Sequence, residues 1–151
     1  MDGLLGGFSA LMSPDLWALM LVGVVVGIIF GAIPGLSATM AIVLFLPITF
    51  SLNVYQAFTL LVALYIGGVS GGLISAILIN IPGSAMSIAT CYDGHPMAES
   101  GHAKRALGIG IVFSFLGTIF SLIIMIVAAP TLADFAVGLS AYEFFALTFF
   151  A

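Results

Sequence analysis

The sequence predicts an all-α protein, a polytopic membrane helical bundle whose helices are interrupted at Pro-Gly pairs. Three observations predict it. Hydrophobic residues make up 63% of the 151 and charged residues 5%, against about 25% charged in soluble domains. No Asp, Glu, Lys, Arg or His occurs in the 77 residues from Leu16 to Tyr92, or in the 28 from Ala106 to Ala133. The apolar runs do not alternate as barrel strands do, as in Ile119-Phe-Ser-Leu-Ile-Ile-Met-Ile-Val127, so helices are the structures that satisfy their own backbone in lipid. This composition excludes a soluble enzyme, because eight charged side chains cannot cover the surface of such a domain. It excludes a nucleic-acid binder, because two cations cannot neutralise a phosphate track. A disordered chain is excluded by the same apolar content. Cys91 is the only cysteine, so no internal disulfide forms.

The elements follow in chain order. Met1 to Ser13 carries no Lys or Arg, and no cleavable leader is expected there. Ser13 can cap a helix, with Pro14 at its first position and Asp15 at its positive end. Leu16–Ile33 then supplies 18 apolar residues, about 27 Å of helix, before Pro34-Gly35. Leu36–Leu46, 11 residues closed by Pro47, gives about 16 Å. That is half of a kinked crossing or a re-entrant half-helix. Asn53 and Gln56 have capping-box spacing, and the run Ala57–Ile81 that follows spans a bilayer before Pro82-Gly83. Asp93–Arg105 is the hydrophilic loop, and Lys104 and Arg105 favour a cytoplasmic position for it. Ala106–Ala129 spans again, with Pro130 closing it. Ser140 and Glu143 form a second capping box, and the apolar helix it opens does not reach spanning length by Ala151. The chain, Met1–Ala151, is therefore expected to be one part of a transmembrane domain, cut inside a helix.

Glycine is patterned. Gly23, Gly27 and Gly31 fall at i, i+4 and i+8, and Gly67, Gly68, Gly71 and Gly72 repeat the step. Small residues at this spacing permit close helix approach in lipid. They serve packing, or a pivot between helices during transport, and the residues leave both open.

The two breaks resemble one another. Ile33-Pro34-Gly35-Leu36-Ser37-Ala38-Thr39 and Ile81-Pro82-Gly83-Ser84-Ala85-Met86-Ser87-Ile88-Ala89-Thr90 are each Ile-Pro-Gly followed by Ser and Thr at the end of a long apolar run. Proline removes a backbone donor, and a Ser or Thr beyond it can cap a new helical start whose free N–H groups suit an anion. Secondary transporters hold carboxylates and ions at paired broken helices near mid-membrane. Asn80 adds an amide beside the second break. The candidate substrate- and ion-binding residues are Pro34, Gly35, Ser37, Thr39, Asn80, Pro82, Gly83, Ser84, Ser87 and Thr90. In the competing reading, each Pro-Gly is a surface loop between ordinary crossings.

Other features are weaker. Gly68-Val-Ser70-Gly-Gly72 matches G-x-S-x-G, whose nucleophile needs a strand-turn-helix setting and a base within reach. The two histidines, His95 and His102, lie in the hydrophilic segment. Cys91, Asp93, His95, Glu99 and His102 fit no compact zinc spacing, so no metal, cofactor or catalytic residue is expected. Trp17 and Tyr55 stand near helix starts, where interfacial aromatics belong.

Three stretches resemble a known family: Gly27-Ile-Ile-Phe-Gly-Ala-Ile-Pro-Gly-Leu-Ser37, Tyr65-Ile-Gly-Gly-Val-Ser-Gly-Gly-Leu-Ile-Ser-Ala-Ile-Leu-Ile-Asn-Ile-Pro-Gly83, and Ala89-Thr-Cys-Tyr-Asp-Gly-His-Pro-Met97 with Ala106-Leu-Gly108. Together they resemble the large permease subunit of the bacterial tripartite tricarboxylate transporters, over roughly Gly23–Gly117. The resemblance implies a longer subunit of which this is the N-terminal portion, multi-pass in the bacterial inner membrane. It implies two partners, a small four-helix membrane subunit and a periplasmic solute-binding protein. It further implies import of carboxylates such as citrate on a sodium or proton gradient, with Pro34, Gly35, Ser37, Asn80, Pro82, Gly83 and Ser84 at or near the translocation site. The sequence departs from that family's usual pattern at His95, where an aromatic is common. An intramembrane serine hydrolase built on Ser70, a structural or assembly subunit, and a channel are the alternatives.

Overall fold

The computed structural model describes Gly7 and residues 12–150. Most of the N-terminal stretch in which no leader is expected, together with Ala151, lies outside the described residues. The described residues are helical with no strand. The elements are α1 (Pro14–Ala32), α2 (Ala38–Thr49), α3 (Val54–Ile79), a 3-10 turn (Ala85–Ser87), α4 (Ile88–Met97), a π turn (Ala98–His102), α5 (Ala103–Val137) and α6 (Ala141–Phe150). Three stretches are long and apolar enough to cross a membrane: Pro14–Ala32, Val54–Ile79 and one within Ala85–Asp134. The chain divides into two compact units, residues 1–111 and 112–151, the division falling within α5.

In the first unit the caps explain the helix ends. Ser13 occupies the N-cap position of α1, but its hydroxyl makes no capping bond, and Pro14 and Asp15 form the first turn. Ser37 caps α2 by accepting from the Met40 N–H at 3.2 Å. Asn53 and Gln56 close a reciprocal box at the start of α3: Gln56 N–H donates to Asn53 Oδ1 at 2.9 Å and Asn53 N–H to Gln56 Oε1 at 3.2 Å. α3 ends at Asn80, in the left-handed region at φ 56°, where Asn is better tolerated than other non-glycine residues.

Three expected boundaries move. α2 runs past Pro47 to Thr49, its last turn supported by hydroxyls that donate to terminal carbonyls: Thr49 to Leu46 O at 2.6 Å and Ser51 to Ile48 O at 2.8 Å. The hydrophilic segment Asp93–Arg105 is helical rather than a loop. Pro96 is absorbed within α4, and the bend falls in the π turn, where Gly101 takes φ 86°. α5 passes through Pro130 to Val137. One proline costs one backbone bond and some local strain, whereas ending the helix in apolar surroundings would strand a full turn of carbonyls.

The helix directions follow from their contacts. Gly23 meets Leu60 and Ala63, Gly27 meets Leu64 and Gly67, and Gly31 meets Gly68, so α1 and α3 run parallel. α2 runs back along α3: Ala38 lies on Gly68, and Ala41 is buried with Leu60 and Leu64. α1 and α2 thus form a hairpin whose two outer ends lie beside the start of α3. Val26, Phe30, Ile42, Phe45, Leu52 and Leu61 pack around this small core.

The second unit comprises the remainder of α5 and α6. Its large apolar side chains face outward, among them Ile123 and Met125, each 57% exposed, and Val127 at 75%. In α6, Phe145 and Phe149 stack with centroids 6.3 Å apart, and Glu143 reaches back to accept the Ser140 N–H at 2.5 Å. The spacing Ser140-x-x-Glu143 thus marks the helix start.

Candidate functional site

The seam between α1 and α3 is backbone on backbone. A Cβ on Gly27 would strike the Leu64 carbonyl oxygen. On Gly31 it would strike the Gly68 carbonyl, on Gly67 the Val24 carbonyl and on Gly71 the Ile28 carbonyl. Gly23 is held by Ala63, whose Cβ would stand 2.7 Å from an added carbon. From Gly27 onward no side chain separates these helices, so the end of α1 is fixed against α3 at Gly68–Gly72.

That seam carries both breaks to one place. The first follows the last turn of α1. Gly35 takes φ 92°, a left-handed conformation strained for any residue with a Cβ. Ser37 then opens α2, whose first residue, Ala38, rests on Gly68: a Cβ on Gly68 would lie 2.5 Å from that of Ala38. At the second break the chain leaves α3 at Asn80 and turns back along it. Gly83 packs under the Gly31 carbonyl and against Gly72, whose Cα would lie 2.7 Å from an added Cβ. Gly31, two residues before Ile33, therefore touches the middle of the other Pro-Gly segment. Ser84 and Ser87 lie beside Gly72, each hydroxyl 3.5 Å from where its Cβ would be.

The polar groups at the two breaks are in different states. At the second, Ser84 N–H donates to Ser87 Oγ at 3.1 Å, Ser87 O–H donates to Ser84 O at 2.9 Å, and the two hydroxyl oxygens stand 3.2 Å apart. These groups satisfy one another inside the 3-10 turn, and Ser87 is buried. At the first break, the Ser37 hydroxyl oxygen accepts from Met40 while its proton remains available. Among the described residues the Thr39 hydroxyl and the Asn80 amide have no hydrogen-bond partner, and both residues are exposed. Pro34, Gly35 and Pro82 are exposed as well. Thr90 stands apart, in a pocket of about 360 Å³ with Ile77, Asp93, Gly94 and Ala106.

Two contributors were not singled out from sequence. Ser75 is buried, donates to Gly72 O at 3.0 Å, and would lie 3.1 Å from a Cβ on Gly83. Its position, one helical step beyond Gly71 and Gly72, was the available signal. His95 is the other. Its Nδ1 lies 3.0 Å from the Ile77 carbonyl oxygen and its Nε2 3.5 Å from Glu99 Oε1. A lone histidine in a hydrophilic segment carries no signal for such a bond. This imidazole meets α3 about 10 Å along the helix from Ser70, and His102 Nδ1 lies 3.3 Å from the Ser100 hydroxyl. At that distance the His95 ring is out of hydrogen-bond reach of Ser70. Among the described residues, no three His, Cys, Asp or Glu side chains gather as metal ligands.

A helical membrane protein in which two Pro-Gly breaks pack together is the class defined by this architecture. Residues 17–151 match the tripartite tricarboxylate transporter TctA family, and the chain belongs to that family. A protein of Agrobacterium vitis, described as an uncharacterized 52.8 kDa protein in the TAR-I ttuC' 3' region, is 37% identical over 141 residues, covering 93% of this chain and 28% of that protein. The chain thus spans under a third of the length of the curated relative it matches. No solved structure matches it.

Proposed function

We propose that this chain is the N-terminal portion of a multi-pass inner-membrane permease subunit that imports tricarboxylates or related carboxylates on a sodium or proton gradient. In this reading it works with a small membrane subunit and a periplasmic solute-binding protein, and its two breaks form part of the translocation site. One observation carries the reading: Ala38 after the first break and Gly83 within the second pack on α3 at Gly68 and Gly72, inside its length. α3 has 26 residues, about 39 Å, against a hydrocarbon core of about 30 Å. Gly68 and Gly72 lie about 21 and 27 Å from its start. With α3 centred in the bilayer, Gly31, Ala38 and Gly83 fall within the hydrocarbon, where irregular backbone is stable only beside protein or water.

The chemistry suits a carboxylate held without a cation. Lys104 and Arg105, the only Lys or Arg in the chain, stand beyond α4. The donors are the Ser37 and Thr39 hydroxyls and the first-turn N–H groups of α2 that Ser37 does not satisfy, at the positive end of that helix; the Asn80 amide stands about 18 Å farther along α3, toward the end of the pathway. The closed Ser84–Ser87 turn shapes the opposite wall. Labelled di- and tricarboxylates offered to vesicles containing the full-length complex, with imposed sodium or proton gradients, test this reading. Gradient-dependent accumulation is expected. Equilibration that ignores the gradients would indicate a channel, and absence of entry would remove the transport reading.

A further inference from the structure

We propose that His95 is a proton-sensing positioning residue of the second break. The inference rests on the transport reading only for what the break does. The placement itself stands on the geometry of His95. A carbonyl oxygen only accepts, so the Nδ1 that lies 3.0 Å from Ile77 O carries the ring hydrogen. Ile77 is in the last turn of α3, one of the four carbonyls that a helix end leaves without an intrahelical donor. His95 supplies that donor from α4, and its ring also borders a cleft of about 470 Å³ with Asn80 and Pro82. It therefore ties the residue three positions before the left-handed turn at Asn80 to the helix that follows the break. The segment between them, Ile81-Pro82-Gly83-Ser84, is strung between two tethered points, the Ile77–His95 bond and the Gly83 contact with Gly31 and Gly72.

The other face of the ring makes this tether responsive to protons. In the neutral ring with hydrogen on Nδ1, Nε2 presents a lone pair to Glu99 Oε1, 3.5 Å away, and two acceptors face each other. A second proton on Nε2 turns this contact into an ion pair, leaves the bond to Ile77 in place, and sets a positive charge at the C-terminal end of α3, where the helix dipole favours it. Glu99 is 70% exposed, so the pair is weak by itself. Its effect is to bias the ring's position over Ile77. Cys91 and Tyr92 of α4 border the same cleft, Asp93 borders a pocket that Ile77 also lines, and the end of α3 contributes no ionisable group. Lys104 and Arg105 are exposed at the start of α5, and His102 lies against Ser100.

The test uses the full-length carrier in proteoliposomes, with citrate as the probe. In histidine-labelled protein, the nitrogen resonances lost on His95→Gln belong to His95. They are expected to report the Nδ1–H form of the neutral ring, and the commoner Nε2–H form would overturn the assignment. His95→Phe is expected to raise the apparent KM for citrate about tenfold (about 1.4 kcal/mol) with kcat nearly unchanged. His95→Gln, whose amide can donate to Ile77 O, is expected to restore the KM at neutral pH. It should also flatten the dependence of KM on pH, because an amide takes up no proton. Normal uptake by His95→Phe, or equal loss in the Phe and Gln variants, would overturn the proposal. Absence of citrate uptake by the unmodified carrier would remove the transport reading instead, and the ring's tautomer would then decide the tether.

Discussion

Gly35 and Gly83 occupy corresponding positions in the two Pro-Gly pairs, yet they are glycine for different reasons. Gly35 takes φ 92° with nothing within 4 Å of where a Cβ would sit, so a side chain there costs only the left-handed conformation, about 1–2 kcal/mol. Gly83 has an ordinary φ and no space: its Cβ would enter the Gly31 carbonyl oxygen and stand 2.7 Å from Gly72 Cα. Both obstacles are backbone of packed helices and cannot rotate aside. Relief requires the second break to lift off the seam, a larger disturbance than the ~1–3 kcal/mol of overpacking in an adaptable core. Gly83→Ala is therefore expected to abolish carboxylate uptake by the full-length protein, while Gly35→Ala lowers it by at most about 5- to 30-fold, in line with that torsional cost. Immunoblots of membrane fractions should show both variants inserted. Equal uptake by Gly83→Ala and the unmodified protein would mean that the junction of the two breaks is not needed for transport.

At the scale of elements, α1 and α2 form a hairpin and α3 is long enough for a full crossing, and in the permease reading this sets which chain positions share a side of the membrane. Ser13, at the start of α1, and Ser51, after α2, are expected to lie on one side and Asn80 on the other. Single cysteines at these positions, in a protein with Cys91 replaced, check this through a membrane-impermeant maleimide applied to intact cells and to inverted vesicles. Residues 13 and 51 should label from the same side and residue 80 from the opposite one. Opposite labelling of 13 and 51 would turn the hairpin into an odd number of crossings. Much of this arrangement was legible in the sequence. The apolar runs gave the helices, Asn53-x-x-Gln56 gave the start of α3, and the spacing of Gly23, Gly27 and Gly31 marked the face of α1 that α3 covers. Three features were not legible, for physical reasons. Pro47 and Pro130 read as stops, but a proline is only one missing donor, and in apolar surroundings the helix continues past it. The polar run Asp93–Arg105 read as a loop because charge was taken for irregularity, although Ala, Glu, Met and Lys are good helix formers. The meeting of the two breaks depends on contacts such as Gly31 with Gly83, far apart in sequence and made by backbone, which leaves no side-chain pattern to read.

At the scale of the whole molecule, the described residues present two kinds of exposed surface. One is apolar: Val25 on α1 in the first unit, and Phe113, Phe120 and Ile123 of α5 in the second, are each more than half exposed. The other is polar backbone and hydroxyl at the breaks, with Gly35, Thr39 and Asn80 exposed. The apolar surface is stable against lipid. The break surface is not, because unpaired N–H and C=O groups in hydrocarbon each cost several kcal/mol. The permease reading therefore requires more protein over the breaks, with water between, and the relative that extends well beyond the matched region has chain enough to supply it. Thiol chemistry on the full-length protein separates the two surfaces. Thr39→Cys is expected to react with a small, charged, water-soluble methanethiosulfonate and to be protected by a transported carboxylate. Val25→Cys, 56% exposed here, is expected to resist that reagent and react with a lipid-soluble maleimide. If Thr39→Cys reacted only with the lipid-soluble reagent, the first break would face hydrocarbon, and the carboxylate site proposed there would be lost. Modification at Thr39 that a saturating carboxylate leaves unchanged would keep the aqueous pocket but place the substrate elsewhere in it.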